Sequence, residues 1–373
     1  MAATPFDPAA KEAALRAEAS EWDTSSPVDA EPGDVPVIDI SEYRTSSDPA
    51  IRAAIAERLR DACETVGFWQ LTGHGIDTDL IRRAFEANAQ FHALPLEVKE
   101  QIAMDSPDYS LGGVGYLPVG HRKLPARTTG NRNEAIIFKT GRDISLDDNP
   151  WLDEEDAPGV RGAIEEYNAA VIALTHELLP LYATALGVEA DFFAEAFDPP
   201  FGRLRLTHYP ASGGSEATKT ADGDLDRQSR AKAPEGSEAT KTANGDLDRQ
   251  SRAKYGIQPH VDTTFFTLLL QDSPGLTIFH TPKQQWVNVP VVDNAFVVNS
   301  GELLKQWTND RFLSVRHFAH VRSSESSRYS IPFFVNADRD YVMECIPTCC
   351  DAENPSKYPP ISYNQSQGVV QGE

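Results

Sequence analysis

YGIQPHVDTTFFTLLL, residues 255–270, holds two short β-type runs, Tyr255–His260 and Thr264–Leu270, with a His-x-Asp between them. Similar runs follow at Leu276–Phe279, Gln285–Val289, Ala295–Val298, Ser314–His320 and Arg328–Phe334, and one precedes them at Gly202–Tyr209. Turn residues separate nearly all of them, and a single helix, Glu302–Thr308, interrupts the series. Closely spaced short strands of this kind predict a barrel or two-sheet jelly roll.

Upstream the pattern changes. Val35–Ile40 and Phe68–Leu71 read as strands, and Glu134–Phe138 as a third. Ile51, Ile55, Leu59, Ala62, Cys63 and Val66 recur at helical spacing, Asp77 caps a helix reaching Leu94, and Val160–Leu186 is a long amphipathic helix, with a shorter one at Ala190–Phe197. The glycines at 112, 113 and 115 mark a loop. The expected organisation is α+β: a disordered acidic tail over 1–34 with one short helix near 8–19, a mixed, mostly helical region over 35–200, a barrel over 201–335 and an extension over 336–373. Within the barrel, Gly214–Lys232 recurs as Gly236–Lys254 with one change, Asp222 to Asn244. That repeat insertion at 214–254 has almost no apolar residues to bury, which predicts a mobile spacer or a lid.

Composition narrows the function. The 373 residues carry 34 Lys+Arg against 56 Asp+Glu, a net charge of −22. So acidic a chain repels nucleic acid and anionic membrane, and no apolar run is long enough to suggest a membrane span. No apolar segment of signal-peptide type opens the chain. The four cysteines, Cys63, Cys345, Cys349 and Cys350, form neither a CxxC pair nor a zinc-finger spacing. The expectation is a cytoplasmic enzyme with a small-molecule substrate and no implied protein partner.

The chemistry centres on His260 and Asp262. Alternation along a strand puts both on one face. One imidazole and one carboxylate with a second imidazole form the facial triad of non-haem Fe(II), which leaves open positions for substrate and O2. His280, His317 and His320 are candidates for the third ligand. His280 reads as a turn residue, and His317 and His320, three apart on one strand, face opposite sides. Downstream, Arg328 and Ser330 share one strand face. An inward guanidinium needs an anion, and with a hydroxyl beside it makes a carboxylate receptor.

With these residues in order, the run from Tyr255 through GLTIF, WVNVP, AFVVNSGELLKQWTNDRFLSVRHFAHV and SRYSIPFF resembles the catalytic barrel of the iron(II)/2-oxoglutarate-dependent oxygenases. Within them it is similar to the isopenicillin N synthase-like branch. VPVIDIS, GFWQLTGHGI and FHALPLEVKE resemble that branch's N-terminal region, so the resemblance spans about residues 35–334 apart from the repeat. It implies a double-stranded β-helix (jelly-roll) barrel with an N-terminal mixed helical region and flanking helices. The family's distal histidine follows TNxxFxSxxH, here Thr308 to His317, which selects His317 over His320. The resemblance implies iron ligands His260, Asp262 and His317, and a 2-oxoglutarate carboxylate held by Arg328, Ser330 and Tyr209. Thr207, Phe318 and Glu302 depart from the family's common Asn, Arg and Asp. Tyr116, Asn133, Ile136, Phe138, Thr264 and Phe266 are the candidates for a substrate wall, with core packing as their competing role. His74 in Gly-His-Gly is expected to be a turn residue. The implied activity is Fe(II)-, 2-oxoglutarate- and O2-dependent hydroxylation, desaturation or ring closure at an unactivated C–H bond of a small metabolite. The rivals are an O2-dependent oxidase of the same branch without 2-oxoglutarate, and a non-catalytic binding module.

Overall fold

The computed structural model describes residues 26–104, 106–107, 109, 111–120, 131–211, 255–320 and 326–368. Most of the expected N-terminal tail, including the helix near 8–19, and the repeat at 214–254 lie outside the described residues. The strands are β1 Val28–Asp29, β2 Val37–Asp39, β3 Phe68–Thr72, β4 Gly115–Leu117, β5 Glu134–Thr140, β6 Phe201–Tyr209, β7 Ile257–His260, β8 Phe266–Gln271, β9 Leu276–His280, β10 Gln285–Asn288, β11 Phe296–Ser300, β12 His317–Ala319 and β13 Arg328–Asn336. They form a five-stranded sheet in the order β1-β10-β9-β12-β7 and an eight-stranded sheet in the order β2-β3-β11-β8-β13-β6-β5-β4. The result is the double-stranded β-helix of an α+β protein.

Local signals place the helices. These are α1 Ser41–Thr45, α2 Pro49–Thr65, α3 Thr78–Ala93, α4 Leu96–Lys99, α5 Val160–Leu186, α6 Glu302–Trp307 and α7 Tyr363–Ser366. The Asp48 carboxylate accepts from Ala50 N at 2.9 Å and Pro49 occupies the first turn of α2. Asp77 does the same for α3 through Asp79 N at 2.9 Å. Gly187, with φ 73°, ends α5. By length and composition α5 would cross a membrane, but it is a core helix here. Tyr167, Leu174, Leu178 and Tyr182 are buried, while Arg161, Glu165, Glu166 and Glu177 make ion pairs on its outer side.

The large core lies between the helices and the back of the eight-stranded sheet. Tyr182 stacks on Phe266 with centroids 5.1 Å apart, and Phe265 meets Trp307 at 5.6 Å. A smaller apolar cluster, including Phe68, Ile278, Val287, Val297 and Val315, lies on the barrel side. Successive residues of β3 therefore serve different clusters: Phe68 the barrel, Trp69 the helical core.

Three expectations change. Residues 26–34 do not behave as a solvated tail. β1 pairs in parallel with β10, Asn288 Nδ2 donates to Asp29 Oδ1 at 2.9 Å, and Lys283 joins Glu31 and Asp34. That docking rests on backbone pairing and polar contacts, so apolar periodicity could not reveal it. The helix expected at Ala190–Phe197 is only a 3₁₀ turn, Glu195–Phe197. Burial of Phe193, Ala196 and Phe197 fixes the segment, and Pro199-Pro200 stops it. The residues around Gly115 form β4 rather than a loop alone, and residues 35–200 supply β2 to β5 of the large sheet, with β5 paired to β6 from Glu134↔His208 to Thr140↔Gly202.

Gly67 joins α2 to β3 with φ +74°, and a Cβ there would meet Leu313 O and Val315 Cγ2, both at 2.7 Å. Those atoms belong to the segment that delivers His317. Gly67→Ala should lower stability by about 1–3 kcal/mol. A thermal unfolding midpoint equal to that of the parent would contradict this account of the contact.

Candidate active site

The ends of two neighbouring strands bring the cluster together. His260 closes β7, His317 opens β12, and the two are cross-strand partners with ring centroids 4.3 Å apart. Each ring is fixed by its own backbone. His260 Nδ1–H donates to Gln258 O at 2.8 Å, and His317 Nδ1–H to Val315 O at 3.1 Å. A carbonyl can only accept, so the protons sit on Nδ1 and both Nε2 atoms present lone pairs. They face Asp262 Oδ1 at 3.6 and 3.7 Å, too far for hydrogen bonds. One ligand atom from each residue lies within 4.8 Å of the others. Asp262 Oδ2 accepts from Thr267 Oγ1 at 2.8 Å and from Asn299 Nδ2 at 3.0 Å.

Electrostatics favour the ligand forms. Burial pushes His317 down to about 4, and His260 adds to the effect, so His317 is neutral at neutral pH. Burial opposes ionisation of Asp262, yet His317, His260 and the Asn299 amide outweigh it and hold the carboxyl well below the usual range. Two imidazole nitrogens and one carboxylate oxygen could hold a divalent metal and fit the donor set of an iron(II) facial triad. The competing histidines are engaged elsewhere. His280 Nε2 lies 3.1 Å from Asp34 O and its Nδ1 accepts from Lys283 N. His320 lies beyond the end of β12, where its backbone N–H donates to Gly275 O. His74 is a turn residue, with Nδ1 accepting from Ile76 N and Nε2 at 2.9 Å from Asn294 O.

The three residues open onto a cleft of about 580 Å³ between the sheets, which Tyr209, Arg328 and Ser330 also line. Arg328 and Tyr209 are cross-strand partners, as are Ser330 and Thr207. The Arg328 guanidinium donates from Nε to Ser273 O at 3.1 Å and from Nη2 to Gln271 Oε1 at 3.0 Å, and lies 4.8 Å from the Tyr209 ring centroid. Its Nη1 is buried without a partner. An otherwise anchored cation with one free donor suits a carboxylate.

None of the candidate substrate residues is in the cleft lining, although Asn133 reaches the cleft residue Arg205, and strand register explains the placing of Ile136 and Phe138. Glu134, Ile136 and Phe138 pair with His208, Leu206 and Leu204, on the opposite face of β6 from Tyr209. Ile136 and Phe138 line a small apolar pocket with Phe91 and Trp151. Tyr116 donates to Glu134 Oε2 at 2.5 Å. Phe266 stacks on Tyr182, since Thr267 and Leu269 take the cleft face of β8. Thr264 packs under Gly301 and its carbonyl accepts from Leu303 N. Asn133 is buried; with its amide oriented to satisfy both neighbours it donates to Gly256 O at 3.0 Å and accepts from Arg205 Nη2 at 2.7 Å. Phe68, Arg205, Thr267, Asn299 and Phe334 line the cleft without having been singled out in the sequence. Parity along β6 would have found Arg205, four residues before Tyr209.

Behind the cleft lies a buried polar cluster. Glu134 accepts from Lys99 Nζ at 2.8 Å, from Tyr116 and from His208 Nδ1 at 2.7 Å, while His208 Nε2 lies 2.9 Å from Ser327 Oγ beside Arg328. Burial opposes ionisation of Glu134, but His208, His92, Lys99 and Tyr116 together hold it down to about 2.

Two outcomes follow from these contacts. Asn299→Ala removes an amide that orients Asp262, so iron affinity should fall 10- to 100-fold in a chelator titration; unchanged affinity would remove Asn299 from that role. The folded pKa of Glu134 lies below its ordinary value, so its stabilisation is complete above about pH 4.5 and lost as pH falls toward about 2. Glu134→Gln should therefore flatten the stability–pH curve in that window, as measured by denaturant titration, whereas an unaltered acid limb would exclude the assignment.

The chain is similar to known proteins over most of its length. Residues 35–157 match the model described as "non-haem dioxygenase in morphine synthesis N-terminal", and residues 241–337 match that of the 2OG-Fe(II) oxygenase superfamily. The 2-oxoglutarate-Fe(II) type oxidoreductase hxnY of Emericella nidulans is 32% identical over 355 residues, which cover 89% of this chain and 90% of that one. The 2-oxoglutarate-dependent dioxygenase citB of Monascus ruber is 29% identical over 82% of this chain and 86% of its own. Among solved structures, a full-length Neurospora crassa enzyme in complex with alpha-KG and 5-formyluracil superimposes with a TM-score of 0.70 at 25% identity, covering 92% of this chain and 99% of that one. The chain belongs to the iron(II)/2-oxoglutarate-dependent oxygenases.

Proposed function

We propose that His260, Asp262 and His317 hold the Fe(II) of this 2-oxoglutarate-dependent dioxygenase, and that Arg328, Ser330 and Tyr209 take the C5 carboxylate of 2-oxoglutarate. The enzyme oxidises an unactivated C–H bond of a small metabolite. When bound, iron and 2-oxoglutarate supply the O2-derived oxidising power, with succinate and CO2 as by-products.

The chain's own residues bind and orient. The Nδ1–H groups of His260 and His317 keep both rings turned inward, and Thr267 and Asn299 hold one Asp262 oxygen so that the other faces the rings. Arg328 is already tied to Ser273 and Gln271, so little side-chain freedom is lost when its free donor meets a carboxylate. Phe68, Leu269, Pro332 and Phe334 give the cleft apolar walls that exclude water from the reacting carbon. The observation that carries the co-substrate assignment is the buried, unpartnered Nη1 of Arg328.

Purified protein with Fe(II), 2-oxoglutarate and O2 should release succinate in step with metabolite oxidation. His317→Ala should abolish iron-dependent turnover, while His320→Ala keeps most of it; the reverse pattern would reassign the ligand. Arg328→Leu loses a charge-assisted contact of roughly 1.5–3 kcal/mol, so the KM for 2-oxoglutarate should rise at least tenfold. An unchanged KM would instead give Arg328 to the substrate's own carboxylate.

A further inference from the structure

The cleft contains a second guanidinium besides that of Arg328. Arg205 lies on the same face of β6 as Tyr209, separated by four residues of extended strand, about 13 Å. Its Nε is closed off from solvent and has no hydrogen-bond partner, and its Nη2 meets only the neutral amide of Asn133. Among the described residues no carboxylate pairs with it. Asp262, the carboxylate that acts on it, has Oδ2 taken by Thr267 and Asn299 and Oδ1 turned to the histidines. Burial pulls its charged form down, with Arg203 adding repulsion and Tyr209 and Asp262 opposing. A cation in such a position is poorly stabilised until an anion arrives. Around it the wall is apolar, with Pro332 and Phe334 from β13 and Leu269 from β8.

We infer that Arg205 receives a carboxylate of the substrate, and that the substrate is a small acid with an apolar body, held by its carboxylate at Arg205 so that a C–H bond faces the His260–Asp262–His317 cluster. This rests on the reading that Arg328 and Ser330 take the co-substrate, which leaves Arg205 free for a different molecule. Asn133 acts as a positioning residue: it bridges Gly256 and Arg205, and so fixes the guanidinium plane.

The test uses the full chain loaded with Fe(II) and 2-oxoglutarate without O2. Calorimetric titration would compare benzoate, phenylacetate and hexanoate with their primary amides. In the parent protein at least one acid should bind at least tenfold tighter than its amide. Arg205→Leu should abolish that preference, Arg205→Lys should retain part of it, and 2-oxoglutarate affinity should change less than twofold in both. The acid–amide comparison in the parent needs no variant to fold. Acids that bind no better than their amides, or an Arg205→Leu protein that loses 2-oxoglutarate affinity tenfold while keeping the acid preference, would overturn the inference. Arg328→Leu serves as the separate control: if it leaves 2-oxoglutarate affinity unchanged, the co-substrate reading fails, whatever Arg205 binds.

Discussion

Asp262 has two carboxylate oxygens, and the fold gives each a different task. Oδ2 is tied by Thr267 on β8 and Asn299 on β11, both in the eight-stranded sheet. Oδ1 faces the imidazoles of His260 and His317 on β7 and β12, both in the five-stranded sheet. One side chain thus couples the two sheets at the point where chemistry is to occur. Its backbone is held as well, since Glu302 N donates to Asp262 O at the start of α6. Were Oδ2 free, the carboxylate could rotate to bond an imidazole directly, and the convergent lone pairs would be lost.

The second organising element is β6, a partition with different contents on its two faces. Tyr209 and Arg205 face the cleft, and Leu204, Leu206 and His208 face the helices. On the rear face His208 stacks on Tyr329 at 4.8 Å, joins Glu134 and reaches Ser327. Tyr329 stands between Arg328 and Ser330, so the buried ion cluster braces the strand that carries both of those residues. Removing one member of such a cluster strands its partners, which ties the Arg328 end of the cleft to the stability of the helical layer.

The barrel strands, the capped helices and α5 were legible because each is a local signal: period, cap or turn residue. The metal cluster was legible because His260 and Asp262 are two apart on a strand, and because the order of residues from Thr308 to His317 resembles that of a known family. The substrate wall was not legible, for a specific reason. Ile136, Phe138 and Phe266 read equally well as pocket or as core, and the choice turns on strand register, which a single sequence does not give. Register puts all three on the helical side. Arg205 escaped notice for the opposite reason. Arg203 and Arg205 alternate with apolar residues along β6, which reads as an exposed strand face, and only its parity with Tyr209 turns Arg205 toward the cleft.

Charge shows the same gap between composition and site. The chain is strongly acidic, with a net charge of −22, yet Arg205 and Arg328 line one cleft with Arg203 beside them. At physiological ionic strength surface charges are screened beyond about 8 Å, so the acidic exterior contributes little to the potential felt by a molecule already inside. Buried charges are screened far less. Among the described residues, Asp262 is the one carboxylate in the cleft lining, against the two guanidiniums of Arg205 and Arg328, which leaves the lining with a net positive charge. A strongly acidic chain and a cleft lining with a net positive charge are therefore compatible.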